Sequence, residues 1–271
     1  FLPYPSSLSN VIAVGASSMC DERKSPSSCD GEQWWGSNYG SGLSFVAPGV
    51  KIYTTKIGSQ YMSDFNGTSS ACPNAAGVAA LVLSVNPNFN KTEVRNILES
   101  TTDKVGGYNY QTNPIYPNGK WEENMGYGRL NAYKAVLQAQ CLTTPLTNLD
   151  LYIKDCSTDY GQEPSGCVDF WDSPDIWVRN NQDGQLQNQN PIYRPNGVPN
   201  YIYVKVRNRN CVASSGNEQL KIYWAKANTS YAWPQYWDGS ISNTNGHPLS
   251  GGLNPINIPI IQSGEEAIVA I

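Results

Sequence analysis

The chain has 271 residues, a formal net charge of −4, one histidine and seven cysteines. Charged residues make up only 15%, against 24 glycines and 18 prolines. This is the composition of a loop-rich extracellular protein with β structure, and without a basic run there is no electrostatic footprint for nucleic acid.

Along the first 140 residues, short apolar runs alternate with helical patterns. "NVIAVGA" (10–16) and "LSFVAPG" (43–49), bounded by Gly or Pro, read as buried strands of a parallel sheet, and "KIYTT" (51–55) as a further strand. A helix follows Gly67 and stops at Asn86-Pro87. Its most apolar part, Ala75–Val85, reads as too short and too alanine-rich to span a bilayer. "NKTEVRNILESTT" opens on Asn90 with Glu93 three residues on, a capping-box spacing, and puts Val94, Ile97 and Leu98 on one face. "NAYKAVLQAQ" repeats the pattern from Asn131. This is an α/β layout.

"CLTTPLTN" (141–148) reads as a linker. Beyond it, "DLYIKD", "DIWVRN", "YIYVKVRN", "QLKIYWAK" and "EEAIVAI" are short alternating strands between turn residues, with no helix-period segment. That is a β-sandwich signature. We therefore expect two domains, 1–140 and 149–271, joined by 141–148. The first residue is a phenylalanine and the last strand pattern runs to the end, so the chain reads as a processed product or a fragment.

No Cys-x-x-Cys pair occurs, and one histidine makes a zinc site a poor reading. Cys20/Cys29 and Cys156/Cys167 each bracket a short polar loop, as local disulfides in a secreted protein do. Spacing alone does not settle the connectivity. An odd count leaves a thiol free, and Cys72 is the choice.

Within "FNGTSSACPNAAGVAALVLS" (65–84), a Ser or Thr at the helix start could simply cap free amides. The surrounding order of features says otherwise. "GTSSACP" (67–73), "YPSSLSNVIAVGA" (4–16), "SNYGSGLSFVAPGVKIYTT" (37–55) and "GYGRLNAYKAV" (126–136) together resemble the subtilisin-like serine peptidases, over roughly residues 4–139. The resemblance implies Ser69 as nucleophile, with its own N–H as one oxyanion donor. It implies Tyr4, Pro5 and Ser6 as one wall of the substrate pocket, for a peptide or protein substrate. No cofactor is required, but a weak cation such as calcium is implied at backbone carbonyls near Ser6, Leu8 and Val11. Asn74 stands where many members have histidine, which implies a packing or hydrogen-bonding role.

In that family the aspartate, the histidine and the asparagine of the oxyanion hole precede the first strand seen here. His247 lies in "NTNGHPLSGG" and lacks the family's His-Gly-Thr surroundings, so it reads as a turn residue. The expectation is a secreted serine endopeptidase, also compatible with a cell-surface or periplasmic location. Its Ser-bearing half is inert without the N-terminal half of the peptidase domain. The competing expectation is a non-catalytic homologue that binds a surface or partner through its β module.

The second domain resembles an immunoglobulin-like accessory module, with "DSPDIWVR" as its identifying string. Trp171, Trp177, Tyr203, Tyr223, Trp224, Trp233 and Trp237 could form a binding platform, but alternation favours inward-facing core aromatics for most of them. Asp150, Asp155, Asp159, Asp172 and Asp175 follow no recognised calcium loop. In the insertion 19–36, Trp34 and Trp35 read as packing under a disulfide-closed loop.

Overall fold

The computed structural model describes residues 1–144, 148–169, 172–192, 194, 197–226, 232, 234 and 236–271. Phe170, Trp171 and Trp233, and the middle of the expected linker, lie outside the described residues. The chain divides into two compact units, Phe1–Pro145 and Leu146–Ile271.

In the first unit, β1 (Ala13–Ser17) and β2 (Leu43–Pro48) pair in parallel, with Val14 opposite Phe45 and Ala16 opposite Ala47. Parallel neighbours need a long connection. Here it is an irregular loop closed by the Cys20–Cys29 disulfide. β3 (Ile52–Lys56) turns at Gly58 and Ser59, both at positive φ, into β4 (Gln60–Phe65), an antiparallel partner absent from the expected elements.

Three helices follow. α1 (Thr68–Val85) packs against β1 and β2, and also against α2 (Lys91–Ser100) and α3 (Ala132–Thr143). Their shared core holds Phe45, Ala75, Val82, Val94, Ile97, Leu98, Ala135 and Ala139. The small residues of α1 are what let four elements approach it at once. α2 begins with the full capping box: Asn90 Oδ1 accepts from the Thr92 and Glu93 amides, and Glu93 Oε2 accepts from the Asn90 amide at 2.7 Å. Strands and helices pack as an α/β fold.

One expectation needs correcting. α1 has 18 residues, because it starts seven positions before Ala75, and by length and composition it is long and apolar enough to cross a membrane. It packs on two strands and two helices of this unit through a face that buries Ser70, Ala71, Ala75 and Val82.

The second unit is built of short strands. β7 (Tyr201–Asn208) pairs antiparallel along one edge with β12 (Glu266–Ala270). Its other edge is shared end to end by β6 (Ile176–Arg179) and the two-residue β5 (Leu151–Tyr152). "QLKIYWAK" is not one strand. It divides into β8 (Gln219–Leu220) and β9 (Tyr223–Ala225), which pair with β11 (Ile256–Asn257) and β10 (Ser250–Gly252) respectively. Val204, Val206 and Val269 from the larger sheet pack with Leu220, Ile258 and Ile261 in one apolar cluster.

The "DSPDIWVR" string has a local physical account. Buried Asp175 receives both Nε and Nη2 of Arg207, at 2.8 and 2.9 Å. Trp177 stacks on Tyr203 with ring centroids 5.6 Å apart. Arg179 grips Asp183 through two bonds of 3.0 and 2.7 Å. Tyr223 is exposed, so the inward reading of the aromatics does not extend to it. The aspartates are separately engaged: Asp150 pairs with Arg209, Asp175 with Arg207, and Asp159 accepts from two backbone amides. Among the described residues no cluster of His, Cys, Asp and Glu is arranged to hold a metal.

Candidate active site

Gly67 sits at φ +116, a conformation costly for any side chain, and it is the N-cap of α1. No side chain caps this helix, so a capping role for Ser69 is set aside. The first four-residue helical bond runs from the Ala71 amide to the Gly67 carbonyl, at 3.3 Å. The Thr68 and Ser69 amides therefore lie ahead of the helical ladder, where the helix dipole favours negative charge. Ser69 itself is exposed.

Around this turn the chain is tightly anchored. The Gly67 amide donates to the Gly49 carbonyl at 2.8 Å. A Cβ on Gly49 would meet the Ala16 Cβ at 2.5 Å, so only glycine permits that approach. Buried Ser70 donates to the carbonyls of Gly67 (2.8 Å) and Gly49 (3.3 Å), which makes it a structural tie. Asn74 donates to the Pro48 carbonyl at 3.1 Å.

Pro5 and Ser6 meet the start of α1 at a cleft of about 260 Å³, lined also by Leu2, Val14, Thr68 and Cys72. Tyr4 is 81% exposed and does not line it. Thr68 and Cys72 were not anticipated as cleft residues; their place beside the motif was the available signal. Cys72 is the free cysteine among the described residues.

The loop proposed for a cation is arranged differently. Arg95 of α2 donates Nη1 to the Ser9 carbonyl at 2.6 Å and Nη2 to the Val11 carbonyl, while the Leu8 carbonyl accepts the Val11 amide at 3.0 Å. A guanidinium thus already occupies the oxygen of Val11, and no carboxylate joins the expected Ser6, Leu8 and Val11 set. A larger cavity of about 340 Å³ surrounds this arginine, with Leu8, Glu99, Tyr116 and Asn118 on its walls; Ser69 lines neither this cavity nor the smaller cleft, which it neighbours through Thr68.

The disulfide-closed insertion has a polar interior. Lys24, fully buried, donates to Asp30 Oδ1 (2.9 Å), Ser28 Oγ (3.1 Å) and the Glu32 carbonyl (2.5 Å). Burial alone would raise the Asp30 carboxyl, but bonds from Lys24, the Glu32 amide and Ser28 outweigh it and hold it below the ordinary range. Glu32 then reaches out: Oε2 accepts from Trp35 Nε1 at 2.7 Å and Oε1 from Asn66 Nδ2 at 2.8 Å. Trp35 packs against the small buried cluster of Ala16, Ala47 and Ala71, whereas Trp34 is exposed.

His247, the chain's single histidine, is exposed in a turn of the second unit, where its amide donates to Asn243 Oδ1 at 2.9 Å. The first unit holds a serine, an uncapped helix N-terminus and a cleft, and contains no histidine.

Residues 2–128 match a family model described as the subtilase family, Peptidase_S8. M-protease of Shouchella clausii is 42% identical over 108 residues, covering 40% of this chain and 26% of that protein. Subtilisin Savinase of Lederbergia lenta is 41% identical over 108 residues, covering 40% of this chain and 36% of that protein. A protein named calcium-dependent protease from Nostoc sp. is 46% identical over 96 residues, covering 32% and 13%. A solved protease structure from Pseudoalteromonas arctica aligns at a TM-score of 0.38 and 26% identity, over 50% of this chain and 38% of that one. The chain spans 26% and 36% of the length of the first two of these relatives. The family model and the sequence relatives support a subtilase-type serine peptidase.

Proposed function

Because residues 2–128 match the subtilase family, we propose that this chain is the nucleophile-bearing part of a secreted serine endopeptidase, with Ser69 as the attacking group. One observation carries the reading. An exposed serine stands second in a helix whose first amides are uncapped, beside a cleft lined by Pro5, Ser6 and Thr68. In the attack, Ser69 Oγ bonds to the substrate carbonyl carbon and gives up its proton to a base. The carbonyl oxygen becomes an oxyanion, and the Ser69 amide at the positive end of α1 stabilises it. Pro5 and Ser6 line the cleft for the substrate side chain, and exposed Tyr4 is free to contact the bound peptide.

The first unit offers no imidazole, so the base, its carboxylate partner and a second oxyanion donor come from polypeptide outside these 271 residues. The β unit is an immunoglobulin-like accessory module in this reading. No cofactor is required for the chemistry in this reading.

Fluorophosphonate labelling tests the assignment. In the full-length polypeptide, Ser69→Ala should abolish labelling and lower peptide turnover by about 10⁶, the scale found when the nucleophile is removed from subtilisin. Ser70→Ala should keep labelling and lose about 1 kcal/mol of stability, the value of a buried hydrogen bond. Residues 1–271 alone should remain unlabelled. Undiminished labelling of Ser69→Ala removes the assignment.

A further inference from the structure

Two polar groups on different segments converge on the residue that precedes the nucleophile turn. Asn66 immediately precedes Gly67, two residues ahead of Thr68 and three ahead of Ser69, and its side chain is held at both ends. Its Oδ1 accepts the Lys51 amide at 2.6 Å, and its Nδ2 donates to Glu32 Oε1 at 2.8 Å. Glu32 is buried, and its other oxygen accepts from Trp35, whose ring packs with Ala71 of α1. The backbone of Glu32 is fixed as well: its amide donates to Asp30 Oδ1 at 2.9 Å and its carbonyl receives the buried Lys24 ammonium. Lys51 adds a bond from Nζ to the Asp30 carbonyl at 3.1 Å.

This wiring is directional. The ion pair Lys24–Asp30 is fully buried, so it sets the conformation of the loop interior and does not exchange with water. The loop then presents one carboxylate, Glu32, to one amide side chain, Asn66. A carboxylate accepting from two N–H donors is a strong, charge-assisted arrangement. Nothing in this chain of contacts is needed merely to close the Cys20–Cys29 loop, which its own disulfide already does.

We propose that Glu32 and Asn66 are positioning residues: the insertion 19–36 acts through their contact to set the Gly67–Ser69 turn, and so the placement of the Ser69 hydroxyl and amide. The proposal rests on Ser69 being the nucleophile. Attack geometry is sensitive to displacements of about 1 Å, which can change rate by about a hundredfold. A brace one residue away from the turn is placed to control this.

A reciprocal exchange tests it. In Asn66→Asp, the new carboxylate faces Glu32 and the two repel. In Glu32→Gln with Asn66→Asp, the amide and carboxylate change places. Gln at 32 accepts from Trp35 and donates to Asp at 66, which still accepts the Lys51 amide. The readouts are the fluorophosphonate inactivation constants (kinact and KI) of the full-length polypeptide, and amide hydrogen exchange over residues 66–71.

Asn66→Asp should lower kinact by about tenfold to a hundredfold with KI unchanged, and should speed exchange in that segment. The double variant should restore both. If Asn66→Asp does not fold, Glu32→Gln alone should give the same changes on a smaller scale. A wild-type kinact in the single variants, or a loss that the exchange fails to restore, overturns the proposal. Absence of wild-type labelling defeats the reading of Ser69 instead. Hydrogen exchange then judges the brace by itself: unaltered exchange in Asn66→Asp overturns it, and faster exchange reversed by the double variant upholds it.

Discussion

The two units place polar and apolar groups in opposite ways. In Phe1–Pro145 the central helix α1 buries only Ser70, Ala71, Ala75 and Val82 of its 18 residues, and Leu81 and Leu83 stay 49% and 37% exposed. Most of its buried charge lies in the loop, at Lys24, Asp30 and Glu32, with Glu99 buried on α2. In Leu146–Ile271 the central element is β7, where Tyr203, Val204, Val206 and Asn208 are buried, and the carboxylate–arginine pairs lie on or beside the sheet. Burial of charge is costly unless the pair is well hydrogen-bonded. In the first unit it fixes the interior of the loop beside the Gly67–Ser69 turn, and in the second it ties short strands together.

Core truncations should separate the units most strongly. Phe45 is fully buried where β2 meets α1 and α2. Phe45→Ala should cost about 4 kcal/mol through lost burial and the cavity it leaves, shifting only the melting transition of the first unit. An equal shift of every transition in calorimetry would mean that the units share one core.

Asp175→Ala asks the same of the second unit. It leaves the Arg207 guanidinium without its bidentate partner and should cost about 3 kcal/mol, visible as a lowered urea midpoint of the β unit with an unchanged slope. A loss below about 0.5 kcal/mol, the size of an ordinary surface substitution, would show that these pairs do not hold the sheet.

A smaller effect is expected at the α2 cap. Asn90→Ala removes the acceptor for two amides and should cost about 1 kcal/mol, confined to the first unit. Asn90→Asp should recover most of it.

The smallest effect is in acid. Hydrogen bonds from Arg179, aided by the Gln185 amide, lower the Asp183 carboxyl to about 2 from its ordinary 3.8. Because the folded value is the lower one, the contribution is complete above the unfolded value, near pH 4, and fades as pH falls toward 2. Asp183→Asn should flatten this part of the stability curve. An unaltered curve would show that the Arg179–Asp183 contact does not survive in solution.

Several features were legible in the residues alone. The Asn90–Glu93 capping box, the helix opening at Gly67, and the parallel pairing of the two apolar runs around Val14 and Phe45 depend on local spacing and on apolar runs. The Gly-Thr-Ser pattern with its proline was equally plain as a helix opening, because glycine, serine and proline there answer demands of one short turn. Short elements were less so. β4, β10 and β11 went unforeseen, and "QLKIYWAK" divided in two, because two- and three-residue strands exist only through partners distant in the chain. The same holds for the cleft and the brace. No local pattern announces that Arg95 will take the carbonyls of Ser9 and Val11, or that Glu32 will meet Asn66 across 34 positions. Local sequence dictates where a helix begins and which face is apolar, since those follow from backbone sterics and side-chain period. Which charged group enters which interior is decided only when the chain has closed, because desolvation leaves a buried charge no option except the partners that the fold brings within reach.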